Sequence, residues 1–218
     1  MFSFRRFVWL LCLCVVQISS VAYAADLRGY LPLAESQART AGGKVEVIEF
    51  FSYTCPICFS YEPVLAAWVA RTGDRIVFKR VPAGLRQSWL PAQKMYFALE
   101  VMGKVDVMHK KIFNAIHVDK MSVQSDEAVI ELVASLGLNR KQFSETYYSA
   151  AVQAKVAQAL QMQKAYQIDQ VPLVAVDGSY LTSPAIAGEQ VGADKPLPDL
   201  QAASLKILDE LIAKPRLN

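Results

Sequence analysis

The segment Val45-Glu46-Val47-Ile48-Glu49-Phe50-Phe51 puts β-branched and aromatic residues at nearly every position, which predicts a strand buried on one face at least and central in its sheet. Cys55-Pro56 then opens a helical period. Proline suits the first helical position, where its missing N–H would have no partner anyway, and Leu65, Trp68 and Val69 continue the apolar stripe until Gly73 ends it. Pro63 falls inside this helix and removes one backbone bond, so a kink is expected there. A second strand is expected over 75–81, stopped by Pro82. From 91 to 167 the period turns helical with no strand candidate: 91–102, 105–117, 126–136 and 140–167, the last broken in two. Ser125 and Asn139 are suitable N-caps, and Gly103 and Gly137 suitable stops. Strand character returns over 171–176 and 179–181, and the Asp177-Gly178 between them is a hairpin signal. Near the start, Leu31-Pro32-Leu33 reads as an edge segment and Gly42-Gly43 as a turn. The stretch 198–213 closes the chain as an amphipathic helix with Leu200, Ile207, Leu208 and Leu211 on one side.

Strand, helix, strand, a helical block, then hairpin and helix is the order of an α/β, thioredoxin-like core interrupted by an all-helical insertion domain. The expected boundaries are 25–87 and 168–218 for the core and 88–167 for the insertion. A chain of 218 residues fits one such domain with an insertion. With 53% hydrophobic and 20% charged residues it can bury a sizeable core, which excludes a disordered chain. The net charge of +3 is too balanced for a protein that grips nucleic acid.

Residues 1–24 read as a secretory signal: Arg5 and Arg6, an apolar stretch over 7–18, and Ala22-Tyr23-Ala24 as the cleavage site. The alternatives are a retained membrane anchor and a lipid anchor. The apolar run falls short of the ~18 residues a span needs, and Cys12 and Cys14 follow leucines rather than small residues. Cleavage after Ala24 removes Cys12 and Cys14, and leaves Cys55 and Cys58 as the cysteines of the mature chain. An exported protein meets an oxidising compartment, and one closely spaced pair is not general stapling.

Two cysteines three apart on the first turn of a helix share a face, within reach of a disulfide. Cys55 faces the positive end of the helix dipole and unsatisfied N–H groups, which favour a thiolate. Cys58, one turn in, should be more buried and nearer neutral. The pair divides into an attacking and a resolving thiol, working through a mixed disulfide at Cys55. Two other readings stay open. A structural zinc site needs about four ligands, whereas the mature chain adds only His109 and His117, expected on an exposed helix face beside Lys110 and Lys111. An inert structural disulfide closing so short a loop would constrain the unfolded chain little.

The motif Phe50-Phe51-Ser52-Tyr53-Thr54-Cys55-Pro56-Ile57-Cys58 resembles the DsbA family of periplasmic thiol:disulfide oxidoreductases. So do Tyr61-Glu62-Pro63, Trp89, Tyr96-Phe97-Ala98-Leu99-Glu100, Val171-Pro172 and Asp177-Gly178-Ser179-Tyr180. Alone, Val171-Pro172 would be read as trans; the resemblance implies the family's cis-proline beside the disulfide. It implies that the backbone of Val171, with Pro56 and Ile57, meets a bound substrate strand. It further implies that Glu49 and Lys79 form a buried acid–base pair beneath the site, the alternative being that both point to water. Glu62 is a weaker candidate for proton handling.

The implied protein is a monomer without cofactor or metal that oxidises reduced, unfolded exported proteins. Its own recharging would come from a membrane quinone reductase resembling DsbB. Many family members carry histidine where this chain has Ile57, so Cys55 is expected to be less acidic, and its disulfide less oxidising, than in those relatives. The rival functions are an isomerase or reductase kept in the dithiol form, and a redox-inactive chaperone or Cu(I) carrier. The first often adds a dimerisation domain, which is not visible before Cys55; the second has no methionine-rich stretch to support it.

Overall fold

A strand buried at nearly every position has to be covered on both sides, and the sheet is built around such a strand. The computed structural model describes residues 29–38 and 43–214. The expected signal sequence, Cys12, Cys14 and Gly42 lie outside the described residues. β2 (Val45–Phe51) pairs in parallel with β3 (Ile76–Pro82) on one side and antiparallel with β4 (Leu173–Val176) on the other. β5 (Tyr180–Thr182) returns from β4, and β1 (Leu31–Pro32) completes the order β1-β5-β4-β2-β3 as the edge. The turn joining β4 and β5 needs two residues in the left-handed region, Asp177 at φ 54° and Gly178 at φ 64°. A Cβ on Gly178 would also lie 2.3 Å from the Gln37 carbonyl oxygen, so only glycine fits under the chain there.

The pleat sorts side chains between two layers. Val47, Val174 and Val176 pack on Tyr61, Leu65 and Trp68 of α1 (Pro56–Thr72) and on Ile207, Leu208 and Leu211 of α8 (Leu197–Ile212). Tyr61 Oη to Ser204 Oγ at 2.9 Å and Trp68 Nε1 to Asp209 Oδ1 at 2.8 Å tie those helices together. Ile48, Phe50, Leu173 and Ala175 join the other core, with α2 (Leu90–Val101) and α6 (Ala150–Ala165). Between β3 and β4 the chain also forms α3 (Val105–His117), α4 (Asp126–Ser135) and α5 (Arg140–Tyr147). Ser125, Asn139 and Ser149 each accept a backbone N–H as N-cap, and Ser149 marks the expected break in the long helical stretch.

α1 holds Pro63 in its interior, where the sequence places it. The structure differs from the sequence reading at β4 and in one added helix. β4 begins at Leu173 rather than at 171, because Pro172 has no N–H to give the ladder. α7 (Pro184–Val191) was not expected: its core-facing run of Ile186 and Ala187 is too short to show a period. The end signals were nonetheless present, with Ser183 capping the Ile186 N–H at 3.1 Å, Pro184 at the first position and Gly192 after the last.

Candidate active site

The chain leaves β2 at Phe51, turns through Ser52–Thr54 and enters α1 with Cys55 as its N-cap. Cys55 donates its N–H to the Ser52 carbonyl at 3.1 Å, and Thr54 N donates to Ser52 Oγ at 3.2 Å, which fixes the turn. Cys55 is extended, at φ −87° and ψ 117°, so its side chain folds back over the open end of the helix. There Sγ accepts the Cys58 N–H at 3.2 Å. Pro56 fills the first helical position and no acidic residue stands in the first turn to oppose the dipole.

The two thiols differ sharply. A hydrogen bond from the Cys58 thiol lowers the Cys55 pKa; burial opposes this, and the N–H groups of Cys58 and Ile57 add to the lowering, so the group settles at about 7. Cys58 has no solvent exposure, and burial above all, with the hydrogen bond and charge of Cys55, raises its pKa far above the ordinary thiol range. Cys55 is 8% exposed, beside exposed Pro56 and Ile57. Opposite lies the Val171 carbonyl, 3.6 Å from Cys55 Sγ and within reach of the thiol proton; the Val171–Pro172 peptide is cis.

Beneath the pair lies a buried ionic cluster, and it corrects the expected partner of Glu49. In the parallel register Glu49 stands beside Arg80, while Lys79 stands beside Ile48. Neighbouring strand residues face opposite sides, so Lys79 reaches Glu46 on the other face and never meets Glu49. Arg80 Nε donates to Glu49 at 3.0 Å, and Arg80 Nη2 donates to both Glu62 oxygens at 3.0 Å. Burial dominates at Glu49 and raises its pKa to about 7 in spite of the Arg80 charge. At Glu62 burial also works upward, but the His109 contact and the Arg80 charge outweigh it and hold the carboxyl below its usual range. A hollow of about 840 Å³ opens on the Lys79 side, lined in part by Glu46, Lys79, Glu100 and Lys155, and neither cysteine lines it.

The histidines are a second correction. Neither sits on an exposed face: His109 is buried and His117 half-buried. His109 Nδ1 is 2.8 Å from Tyr53 Oη, and its Nε2 is 3.3 Å from Glu62 Oε2 without hydrogen-bond alignment. His117 Nε2 is 2.8 Å from the Tyr53 carbonyl oxygen, and its ring stacks on Phe59 at 4.7 Å. Burial holds the His109 pKa down, against the pull of Glu62, which favours the neutral ring. Lys110 and Lys111 had suggested a solvated face, yet Ile112 and Phe113, three and four residues after His109, are buried; their spacing was the signal that places His109 inside.

Comparison with known proteins follows this geometry. The model of the DSBA-like thioredoxin domain matches residues 75–196. The thiol:disulfide interchange protein DsbA of Burkholderia cepacia is 43% identical over 143 residues, 66% of this chain and 68% of that protein. The Bordetella parapertussis protein of the same name is 36% identical over 174 residues, 80% of this chain and 78% of its own length. The crystal structure of Pseudomonas aeruginosa DsbA superposes with a TM-score of 0.75 at 30% identity, covering 85% of this chain and 91% of that one. An N-cap thiol over a buried partner, on this fold and among these relatives, places the chain in the DsbA family of thiol:disulfide oxidoreductases.

Proposed function

We propose that the protein is an oxidase of the periplasm, exported by cleavage of residues 1–24, that hands the Cys55–Cys58 disulfide to reduced, unfolded exported proteins. A substrate thiolate attacks Cys55 Sγ, the Cys55–Cys58 bond breaks, and the mixed disulfide forms at Cys55. Cys58 leaves as a thiolate and takes up a proton, because burial holds its pKa far above neutrality. The second substrate thiol, once deprotonated, attacks the substrate sulfur of the mixed disulfide, and Cys55 leaves as a thiolate held by the N-terminus of α1. Two electrons pass to the enzyme and one disulfide forms in the substrate. Of the two substrate protons, Cys58 keeps one and solvent takes the other. Glu49, near neutrality in its titration and electrostatically coupled to Cys58, serves as the buried group that exchanges the Cys58 proton.

Val171 presents a backbone carbonyl beside Cys55, and a bound polypeptide pairs there as an added strand against Val171-Pro172, over Pro56 and Ile57. A membrane quinone reductase resembling DsbB restores the disulfide. Lys79 plays no part in the proton path, since it lies across the sheet from Glu49.

The observation that carries this reading is the Cys55 sulfur at the helix N-terminus over a fully buried Cys58. The test is a redox titration against glutathione together with oxidation of a reduced, unfolded substrate. An oxidising potential and substrate disulfide formation are expected; a strongly reducing potential would make the protein a reductase. Ile57→His adds a donor beside Cys55 and should raise the reduction potential. An unchanged potential would show that this side chain is not the determinant here.

A further inference from the structure

The chemistry above uses α1, β2 and the Val171–Pro172 loop, and gives no work to the two histidines of α3. His109 and His117 are eight residues apart on that helix, about two turns, and so face the same way. What they face is one residue, Tyr53. His109 meets its hydroxyl and His117 its carbonyl oxygen, each at 2.8 Å, so a single helix holds the active-site loop by side chain and by backbone.

The contacts assign the protons. A carbonyl oxygen only accepts, so His117 Nε2 donates. If His109 Nδ1 donated to Tyr53, a bare Nε2 lone pair would face the Glu62 carboxylate 3.3 Å away. The favourable arrangement has Tyr53 Oη donating to Nδ1 and the ring proton on Nε2, toward Glu62. Both rings are set by packing: His117 lies flat on Phe59, with 9° between the planes, and His109 meets Phe51 and Phe113 edge-on.

Tyr53 stands two residues before Cys55, in the turn that places Cys55 Sγ over the Cys58 N–H. Isoleucine at position 57 brings no donor to the sulfur, which is left with the Cys58 thiol and the N–H groups of the helix end, and both contacts depend on its register with α1. We propose that His109 and His117 are positioning residues of the active site, which pin Tyr53 and thereby hold Cys55 Sγ in register with the N–H groups of α1. α3, one of the helices between β3 and β4, then tunes the redox chemistry of a thiol that caps α1. This rests on the reading of Cys55 and Cys58 as the redox pair.

The test compares wild type, His117→Ala, His117→Gln and Tyr53→Phe. Two quantities are read: the pH profile of the Cys55 thiolate absorbance in the reduced protein, and the equilibrium constant with glutathione. Glutamine can donate where His117 Nε2 does and alanine cannot. His117→Ala is expected to move the thiolate midpoint upward and shift the equilibrium about three- to tenfold toward the disulfide form, the value of one net hydrogen bond. Glutamine should recover most of that shift, which a merely structural role would not predict. Tyr53→Phe keeps the buried ring, loses only the bond to His109, and should shift both readings in the same direction by less; it carries the test if His117→Ala does not fold. Wild-type readings in Tyr53→Phe or His117→Ala, or a glutamine variant no better than alanine, overturn the proposal. Failure of wild type to oxidise a reduced substrate would overturn the functional reading instead, and leaves the thiolate profiles as measured.

Discussion

Glu46 and Glu49 leave the same strand three residues apart, so they face opposite sides of the sheet, and each finds a cation from adjacent positions of β3. Glu46 meets Lys79, whose side chain is 39% exposed at the rim of the hollow. Glu49 meets Arg80, whose side chain is 16% exposed and is shared with Glu62 beneath the cysteines. Similar charges thus serve different ends. On one face a partly exposed lysine meets a single buried carboxylate; on the other a planar guanidinium bridges buried Glu49 and half-buried Glu62, a geometry that a lysine point charge would not reproduce.

The largest effect that could break this comparison is Arg80→Met. It leaves buried Glu49 and half-buried Glu62 without their cation and should cost about 3–5 kcal/mol in denaturant unfolding of the reduced protein. The pH dependence has a definite sign. Glu49 has a folded pKa raised from 4.5 to about 7, so its stabilising contribution is full below about 4.5 and lost as pH rises through about 7. In the variant the Arg80 charge that lowers this pKa is gone, so its stability should go on falling as pH rises beyond 7. A loss no larger than that of an exposed pair would mean water already reaches the cluster.

Next in size is the titration of Cys55. Alkylation of the reduced protein should be half-maximal near pH 7 and fall about tenfold per unit below it, with Cys58 unreactive. A midpoint at the ordinary thiol value of ~8.5 would remove the helix-end argument. Glu49→Gln sharpens the comparison further, because Glu49 and Cys55 are electrostatically coupled. Removing that negative charge should lower the Cys55 midpoint by less than about one unit, while the same exchange at Glu46 should leave it where it is. The smallest redox effect belongs to Lys79→Met, which should cost less stability than Arg80→Met because it deprives one carboxylate of its cation rather than two, with wild-type alkylation and glutathione equilibrium. A redox change in that variant would return Lys79 to the active site.

Much of this site was legible in the chain because it is local. The spacing of Cys55 and Cys58, the proline after the first, the strand before and the hairpin at Asp177-Gly178 each act over a few residues. The identity of Glu49's partner was not, since Lys79 and Arg80 are adjacent and only strand register decides which one shares its face. α7 escaped for a related reason: eight residues carry too few buried positions to set a period. The placement of the histidines was less legible, because exposed Lys110 and Lys111 adjoin His109 in sequence while the buried face shows only in its spacing to Ile112 and Phe113.

The amino-acid order by itself determined that one sulfur would cap a helix, that a second would follow a turn behind it, and that a parallel β-α-β unit would carry them. Those outcomes depend on dipoles, φ restrictions and hydrophobic period, which act within a turn or two of the chain. Only the folded molecule decided that Arg80 would bridge Glu49 and Glu62, that Val171 would set its carbonyl against Cys55, and that α3 would reach Tyr53 with two imidazoles. Those contacts join residues from 18 to 116 positions apart, and they exist because pleat, register and packing bring distant faces together.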